Sequence, residues 1–233
     1  MKFGLTQTFP CSYLPDQQEQ LLVLAQELDQ IHARHYDLLI TAGFRRSGGQ
    51  LYRPNCPSCR ACQPIRIPVS IFVPSKNQKR VLKTNQTLSI KQSLNDKDEY
   101  YAIYADYINQ RHADGSMYPA SYEQYCSFII NPWQQAIFIE IWLDDKLIGV
   151  AVCDVVANGL SALYTFFRPE YAKRSLGTYA ILQQIALTKQ LKLDYLYLGY
   201  QIDACQKMNY KQKFLPHERF LNDKWQLITK KVG

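Results

Sequence analysis

The chain has 233 residues, enough for one large core or two modest ones, and an ordinary globular composition apart from its seventeen tyrosines. It contains no run of about 18 apolar residues, which excludes a membrane-spanning helix. The opening MKFGLTQTFPCSYLP has no sustained apolar stretch, so a secretory signal is not expected. The net charge of +7 is unevenly spread: Leu38 to Asn95 holds ten of the 27 basic residues and none of the 20 acidic ones. Concentrated Lys and Arg without interleaved acids suit a polyanion-binding surface better than an evenly solvated face.

Taken in chain order, Asp16 and Glu19 fit a capping pair, and Leu21, Leu24, Leu28 and Ile31 recur at helical spacing, predicting a helix over 16–36. Residues 41–63, rich in Gly and Pro, read as a long functional loop. Ile65, Ile67 and Val69 alternate as in a strand. Ser75 with Gln78 opens a short basic helix to Thr84, and Leu88–Ser93 reads as a further strand. A tyrosine-rich amphipathic helix covers 96–112, and Ser121 with Gln124 caps another. Three apolar β-rich runs follow at 136–143, 147–156 and 160–167, joined by Asp144-Asp145-Lys146 and Asn158-Gly159 turns. A helix over 176–190, a strand over 193–198 and a mixed basic tail complete the chain. This order predicts an α/β three-layer domain with a mostly antiparallel sheet. The expected division separates a small N-terminal module with a Cys-rich basic loop, residues 1–70, from a larger domain, 71–233.

Five stretches carry candidate chemistry. CPSCRAC at 56–62 holds two overlapping C-x-x-C pairs, Cys56, Cys59 and Cys62; a closed metal site needs four ligands, and Cys11 in CSYLP is the natural fourth. Zinc or an iron–sulfur cluster suits such thiols; the alternative is unmetallated loop cysteines packed as small apolar groups. With seven cysteines and no signal peptide, a reducing, cytoplasmic setting is expected. GFRRSGGQLYRP at 43–54 offers Arg45 and Arg46 as bidentate donors to a carboxylate or phosphate. PSKNQKRVLK at 74–83 sets Lys76, Lys79, Arg80 and Lys83 on a helix start. RSLGTYA at 174–180 enters a helix after a strand and partly matches the pyrophosphate loop of acetyltransferase-like folds, through Arg174, Ser175 and Gly177; Tyr179 stands where that loop wants a small residue. LGYQIDACQKMNYKQKF at 198–214 leaves a strand end, where Tyr200, Asp203, Lys207, Tyr210 and Lys211 can converge.

Together CSYLP, GFRRSGGQLYRPNCPSCRACQPIRIPV, PSKNQKR, RHADGSMYP, RSLG and LGYQI with KMNYK, spread in order over nearly the whole chain, resemble the arginyl-tRNA–protein transferase family. The match is closest to its short bacterial branch, the aspartate/glutamate leucyltransferases. The resemblance implies an acetyltransferase-like (GNAT-type) fold and a soluble enzyme of the N-degron pathway. Such an enzyme moves leucine from leucyl-tRNA to the α-amine of proteins beginning with Asp or Glu, and serves the degradation machinery indirectly. It implies no cofactor for the transfer itself. Eukaryotic relatives are linked to an iron–sulfur cluster on cysteines in regions matching Cys11 and Cys62; CPSCRAC departs from their local pattern.

On this reading Tyr200 and Asp203 stand nearest the chemistry. Arg45 or Arg46, with Arg80 and Lys79 next, meet the acceptor's carboxylate. Lys76, Lys83, Lys207 and Lys211 hold the acceptor stem. Three alternatives remain open: an arginyl-tRNA–protein transferase of the same fold, a coenzyme-A-dependent acyltransferase, and a noncatalytic zinc-knuckle RNA-binding module.

Overall fold

The computed structural model describes residues 1–115 and 117–230. Its elements run β1 (Phe3–Leu5), β2 (Phe9–Pro10), β3 (Gln18–Glu19), β4 (Leu21–Leu24), α1 (Ala33–Thr41), β5 (Arg45–Ser47), β6 (Gln50–Pro54), β7 (Gln63–Pro68), α2 (Lys76–Thr84) and β8 (Ser89–Ser93). There follow α3 (Asp98–Arg111), α4 (Tyr122–Ile129), β9 (Ala136–Leu143), β10 (Lys146–Val156), β11 (Gly159–Phe167), α5 (Leu176–Gln190), β12 (Tyr195–Gln201), β13 (His217–Leu221) and β14 (Lys224–Ile228).

An eight-stranded sheet in the order β14-β13-β7-β12-β11-β10-β9-β8 forms the centre, antiparallel except for the β11–β12 pair. The period-two alternation of its strands divides the core. Ile137, Ile139 and Ile141 of β9 with Ala151 and Cys153 of β10 face a cluster shared with α5. Phe138, Val150 and Val152 face the tyrosines of α3 and α4 on the other side. Val156 of β10 and Tyr197 of β12 join a third cluster with Leu24, Tyr36, Ile40 and Leu51, which docks the N-terminal elements onto the sheet. The expected mixed α/β, mostly antiparallel architecture is observed. The division expected near residue 70 falls just after β7, which pairs with both β12 and β13 in the large sheet.

Two predictions of local structure are corrected, and the unassigned tail gains a local structure. Residues 16–36 are not one helix. Asp16 adopts a left-handed backbone (φ 61°) that turns the chain, and β4 pairs with β1 and β6, so the helix starts only at Ala33. The Leu-Leu-Val-Leu run satisfies a strand's burial as well as a helix's, and pairing on both edges decides it. Residues 41–63 are not an open loop: β5 and β6 form a hairpin whose two-residue turn is Gly48-Gly49. Gly48 has φ +56°, and a Cβ there would lie 2.3 Å from the Ser127 carbonyl oxygen, so the turn demands glycine. The basic tail is a hairpin too, β13–β14, turning on Asn222-Asp223 with φ 50° and 57°. By contrast α2 begins at Ser75 with the predicted capping box.

Candidate functional site

The sheet opens at one seam. β11 and β12 pair only over Gly159–Ser161 and Tyr195–Tyr197, yet run on to Phe167 and Gln201. Arg45 fills the point where they part. Its Nη1 donates to Ser161 Oγ (2.7 Å) and its Nη2 to the carbonyl of Ala162, the first β11 residue beyond the pairing. Gly199 of β12 lies against it with a left-handed backbone (φ +82°), which asks for glycine; a Cβ there would only touch the Arg45 Nε at an ordinary 3.5 Å.

Arg46 turns fully inward. Nε and Nη2 grip the two oxygens of Asp154 at 2.7 and 2.6 Å, and the remaining donor positions reach the carbonyls of Gly48, Phe128 and Ile129. Both side chains of this pair are 0% exposed. Burial pushes the Asp154 carboxyl up, while Arg46 and Arg45 pull it down; the bidentate geometry is that of the ionised pair.

Three more arginines of the acid-free stretch are likewise committed. Arg53 donates to the Ala42 carbonyl (3.1 Å), and Arg60 folds back on the carbonyls of Cys56 and Cys59. Arg66 pairs with Glu218 at 2.6 Å and lies 3.6 Å over the Tyr195 ring and 4.2 Å over Trp225. The acids these residues need lie elsewhere in the chain, so the local excess of charge overstates the free surface charge. Arg45 and Arg46, expected to meet an acceptor's carboxylate, are spent on the seam and the buried pair. Most of the exposed cations of the stretch are on α2, where Lys76, Lys79, Arg80 and Lys83 all face solvent; Arg60 and Lys91 are exposed outside it. Gln78 of α2 bonds the Lys213 carbonyl (3.2 Å), and Asn85 beyond its end bonds that of Arg174 (2.9 Å), fixing the helix beside the start of α5.

At that start Arg174 contacts the Thr84 carbonyl (3.4 Å), and Ser175 takes a left-handed backbone without a side-chain cap bond. Gly177 is not imposed by its surroundings: a Cβ there meets nothing within 4 Å.

Tyr200 near the end of β12, and Asp203, Lys207 and Lys211 beyond it, each have a partner. Tyr200 is buried and donates its hydroxyl to the Gly43 carbonyl (3.0 Å), with Tyr52 O at 3.3 Å; burial, then Tyr52, pushes its phenol well above the usual range. Asp203 accepts two bonds from Arg219 (2.7 and 3.1 Å) and one from Gln201 (2.8 Å). The Arg219 bonds are the main reason that its carboxyl is held below its ordinary value. Sequence reasoning missed Arg219, because a lone arginine in a mixed tail carries no motif. Lys207 pairs with Asp114 at 2.6 Å on the surface. Lys211 is 5% exposed; its Nζ donates to the Tyr200 carbonyl at 2.7 Å, lies 3.4 Å from Met208 Sδ and 5.2 Å from the Tyr210 ring centre. Tyr210 itself is exposed. Burial, then Arg45, pushes the Lys211 ammonium down to about 7.

Cys11, Cys56, Cys59 and Cys62 line one small cavity of about 40 Å³ with Tyr52 and Tyr200. The Cys11 and Cys59 sulfurs each accept a backbone N–H from the residue two further on, Tyr13 and Ala61, at 3.5 Å. Burial, then the other three cysteines, pushes the Cys62 thiol up to about 12. The cavity joins the expected four residues, but among the described residues no group of three or more His, Cys, Asp or Glu is spaced to hold a metal ion.

Its sequence places this chain in a class of tRNA-dependent transferases. Residues 99–221 match the family "Arginine-tRNA-protein transferase, C terminus" and residues 9–80 its N-terminal counterpart, so the chain belongs to the arginine-tRNA–protein transferase family. Within it, the chain is 58% identical to an aspartate/glutamate leucyltransferase of Pseudoalteromonas atlantica over 99% of both chains. It is 51% identical to that of Aeromonas salmonicida over 99% of this chain and 97% of the other, and 47% to that of Pseudomonas aeruginosa over 98% and 97%. Among solved structures, L-PGS of Bacillus licheniformis aligns at TM-score 0.43 with 9% identity, over 61% of this chain and 48% of that one, too distant to define the fold.

Proposed function

We propose that the chain transfers leucine from leucyl-tRNA to the α-amine of proteins beginning with Asp or Glu, the reaction that marks such proteins in the N-degron pathway. The observation that carries this reading is the match, over 99% of both chains, to a relative named for that activity. Among the described residues no helix is long and apolar enough to cross a membrane, in keeping with soluble, cytoplasmic substrates.

The donor ester is already activated, so the work left to the protein is positioning and charge stabilisation. The acceptor nitrogen forms its bond to the leucyl carbonyl as the bond to the ribose oxygen breaks; the amine gives up a proton and the departing oxygen gains one. An α-amine with a pKa near 7.7–8.0 is roughly a tenth or more neutral near pH 7, so no strong base is required. Tyr200, its hydroxyl bonded to two carbonyls, and Asp203, held ionised by Arg219, are suited to shaping the site rather than to taking the proton. The basic face of α2, with Arg174 and Lys207, is the surface offered to the acceptor stem. Gly177, free of steric demand, supports close approach of a phosphate to the start of α5. The β11–β12 seam in a mixed sheet supports an acetyltransferase-like reading of residues 71–233, with residues 1–70 contributing the cysteine loop.

The four thiols have the donor chemistry of a zinc or iron–sulfur centre, though they are not spaced to close on one ion in this structure, and the N–H bonds to Cys11 and Cys59 are of the kind that steadies a ligating thiolate. Such a centre on Cys11, Cys56, Cys59 and Cys62 would cross-link the CPSCRAC loop to the N-terminal strands. Purified protein incubated with an Asp-starting peptide and leucyl-tRNA, arginyl-tRNA or acetyl-coenzyme A tests the function. Transfer from leucyl-tRNA is expected; preferred transfer from either of the other donors refutes the reading.

A further inference from the structure

The interior beside the seam carries more positive than negative charge. Arg45, Arg46 and Lys211 are 7%, 3% and 5% exposed, and the carboxylate among them is Asp154. Asp154 is gripped by Arg46 and interacts electrostatically with Arg45, and Arg45 in turn acts on Lys211. Lys211 forms no ion pair with any described carboxylate; its Nζ has a carbonyl and a thioether for company. Asp203, close in sequence, is taken by Arg219. A buried ammonium without an anion is costly, so an anion brought beside Lys211 would favour its charged form; the amine stands at a point covered by Met208 and by Tyr210, whose ring reaches the surface.

We propose that Lys211 is the specificity residue that receives the side-chain carboxylate of the acceptor's first residue, which supplies the counterion the seam lacks. The inference rests on the leucyl-transfer reading above. Of the two substrates, the leucyl group brings an α-ammonium and no anion. The tRNA brings phosphates, which exposed α2 already suits. The acceptor alone brings a carboxylate one or two methylenes from the reacting end, small enough to be taken beneath the Tyr210 ring. The same cations serve the chemistry, because positive charge beside the acceptor's α-ammonium makes it easier to deprotonate.

The test compares acceptor peptides differing only at the first residue, Asp against Asn and Glu against Gln, with leucyl-tRNA as donor. Wild-type protein is expected to prefer the acids in kcat/KM. Lys211→Met, which keeps the apolar stem, should cut that preference at least about tenfold, the loss of a charge-assisted bond, mainly through KM for the acidic peptide. Lys211→Arg should keep more of the preference than Lys211→Met. If Lys211→Met does not fold, Lys211→Gln is read in the same ratio. A variant that lowers turnover on all four peptides equally, with the acid preference intact, overturns the proposal and makes Lys211 a prop for Tyr200. Loss of leucyl-tRNA affinity in proportion to loss of turnover overturns it too, placing Lys211 on the nucleic acid. A wild-type protein that transfers leucine without preferring acids refutes the functional reading itself, and the inference with it.

Discussion

Replacing Arg46 by methionine separates a role in the fold from a role in substrate binding. The guanidinium and its partner Asp154 are both 0% exposed and joined by two short bonds. Removing one member of such a pair leaves an uncompensated buried charge, at a cost of about 3–5 kcal/mol. For a domain of this size, each kcal/mol lowers Tm by about 2–4 °C, so Arg46→Met should melt about 6–20 °C below the parent. The deficit has a pH signature. Burial raises the Asp154 carboxyl, and without Arg46 it rises further, above its unfolded value. A group with a raised folded pKa favours the folded state below its unfolded pKa and loses that contribution as pH climbs through the folded one. The gap to the parent should therefore narrow toward mildly acidic pH and widen toward neutrality. Arg46→Met combined with Asp154→Leu removes both charges and should recover most of the lost stability. Melting curves for parent, singles and double at two pH values give the coupling. A single variant that melts with the parent but has a raised KM for acidic peptides would refute this reasoning and return Arg46 to the substrate.

Tyr200→Phe removes a hydroxyl bonded to the Gly43 and Tyr52 carbonyls, so it should cost about 1 kcal/mol in stability and leave the pH dependence of transfer unshifted; a lost basic limb would make the phenol a proton carrier after all. Neutralising Lys76, Lys79, Arg80 and Lys83 together should weaken tRNA binding and flatten the plot of log Kobs against log salt by about 0.7–0.9 for each phosphate left without its cation; an unchanged slope would move the tRNA off α2. Asp203→Asn should abolish a contribution to stability that is present above the ordinary carboxylate pKa and fades as pH falls through the lowered folded value; unchanged acid melting would deny the Arg219 pairing its weight. Metal analysis and the absorption spectrum of anaerobically purified protein should show a bound metal that is lost in Cys59→Ser; metal-free, fully folded protein would leave the four cysteines as packing groups.

Much of the fold follows from local signals. The capping box at Ser75 and Gln78, and the alternation in β9 and β10, are complete within a few residues, and both elements form where the pattern puts them. The elements that were missed depend on partners remote in sequence. Leu21–Leu24 becomes a strand because β1 and β6 flank it, and β5 becomes one through the Gly48-Gly49 turn. The candidate site divides in the same way. Arg45 and Arg46 stand out as donors in an acid-free stretch, but the groups they serve, Ser161 and Asp154, lie more than a hundred residues on. Charge counted along the chain cannot tell a strut from a surface cation. Lys211 is the converse: nothing in KMNYKQK marks it out from Lys207 and Lys213, which stay exposed while folding buries Lys211 without an anion.

The central claim is that leucine passes from tRNA to an acidic N-terminus, and the most direct measurement is the site of attachment. Leucyl-tRNA, the purified chain and three peptides identical except for Asp, Ala or N-acetylated Asp at the start should be combined and the products sequenced by fragmentation mass spectrometry. The account predicts a single leucine on the free α-amine of the Asp peptide, little on the Ala peptide and none on the blocked one. Leucine on side-chain amines, or equal labelling of the Asp and Ala peptides, would contradict it.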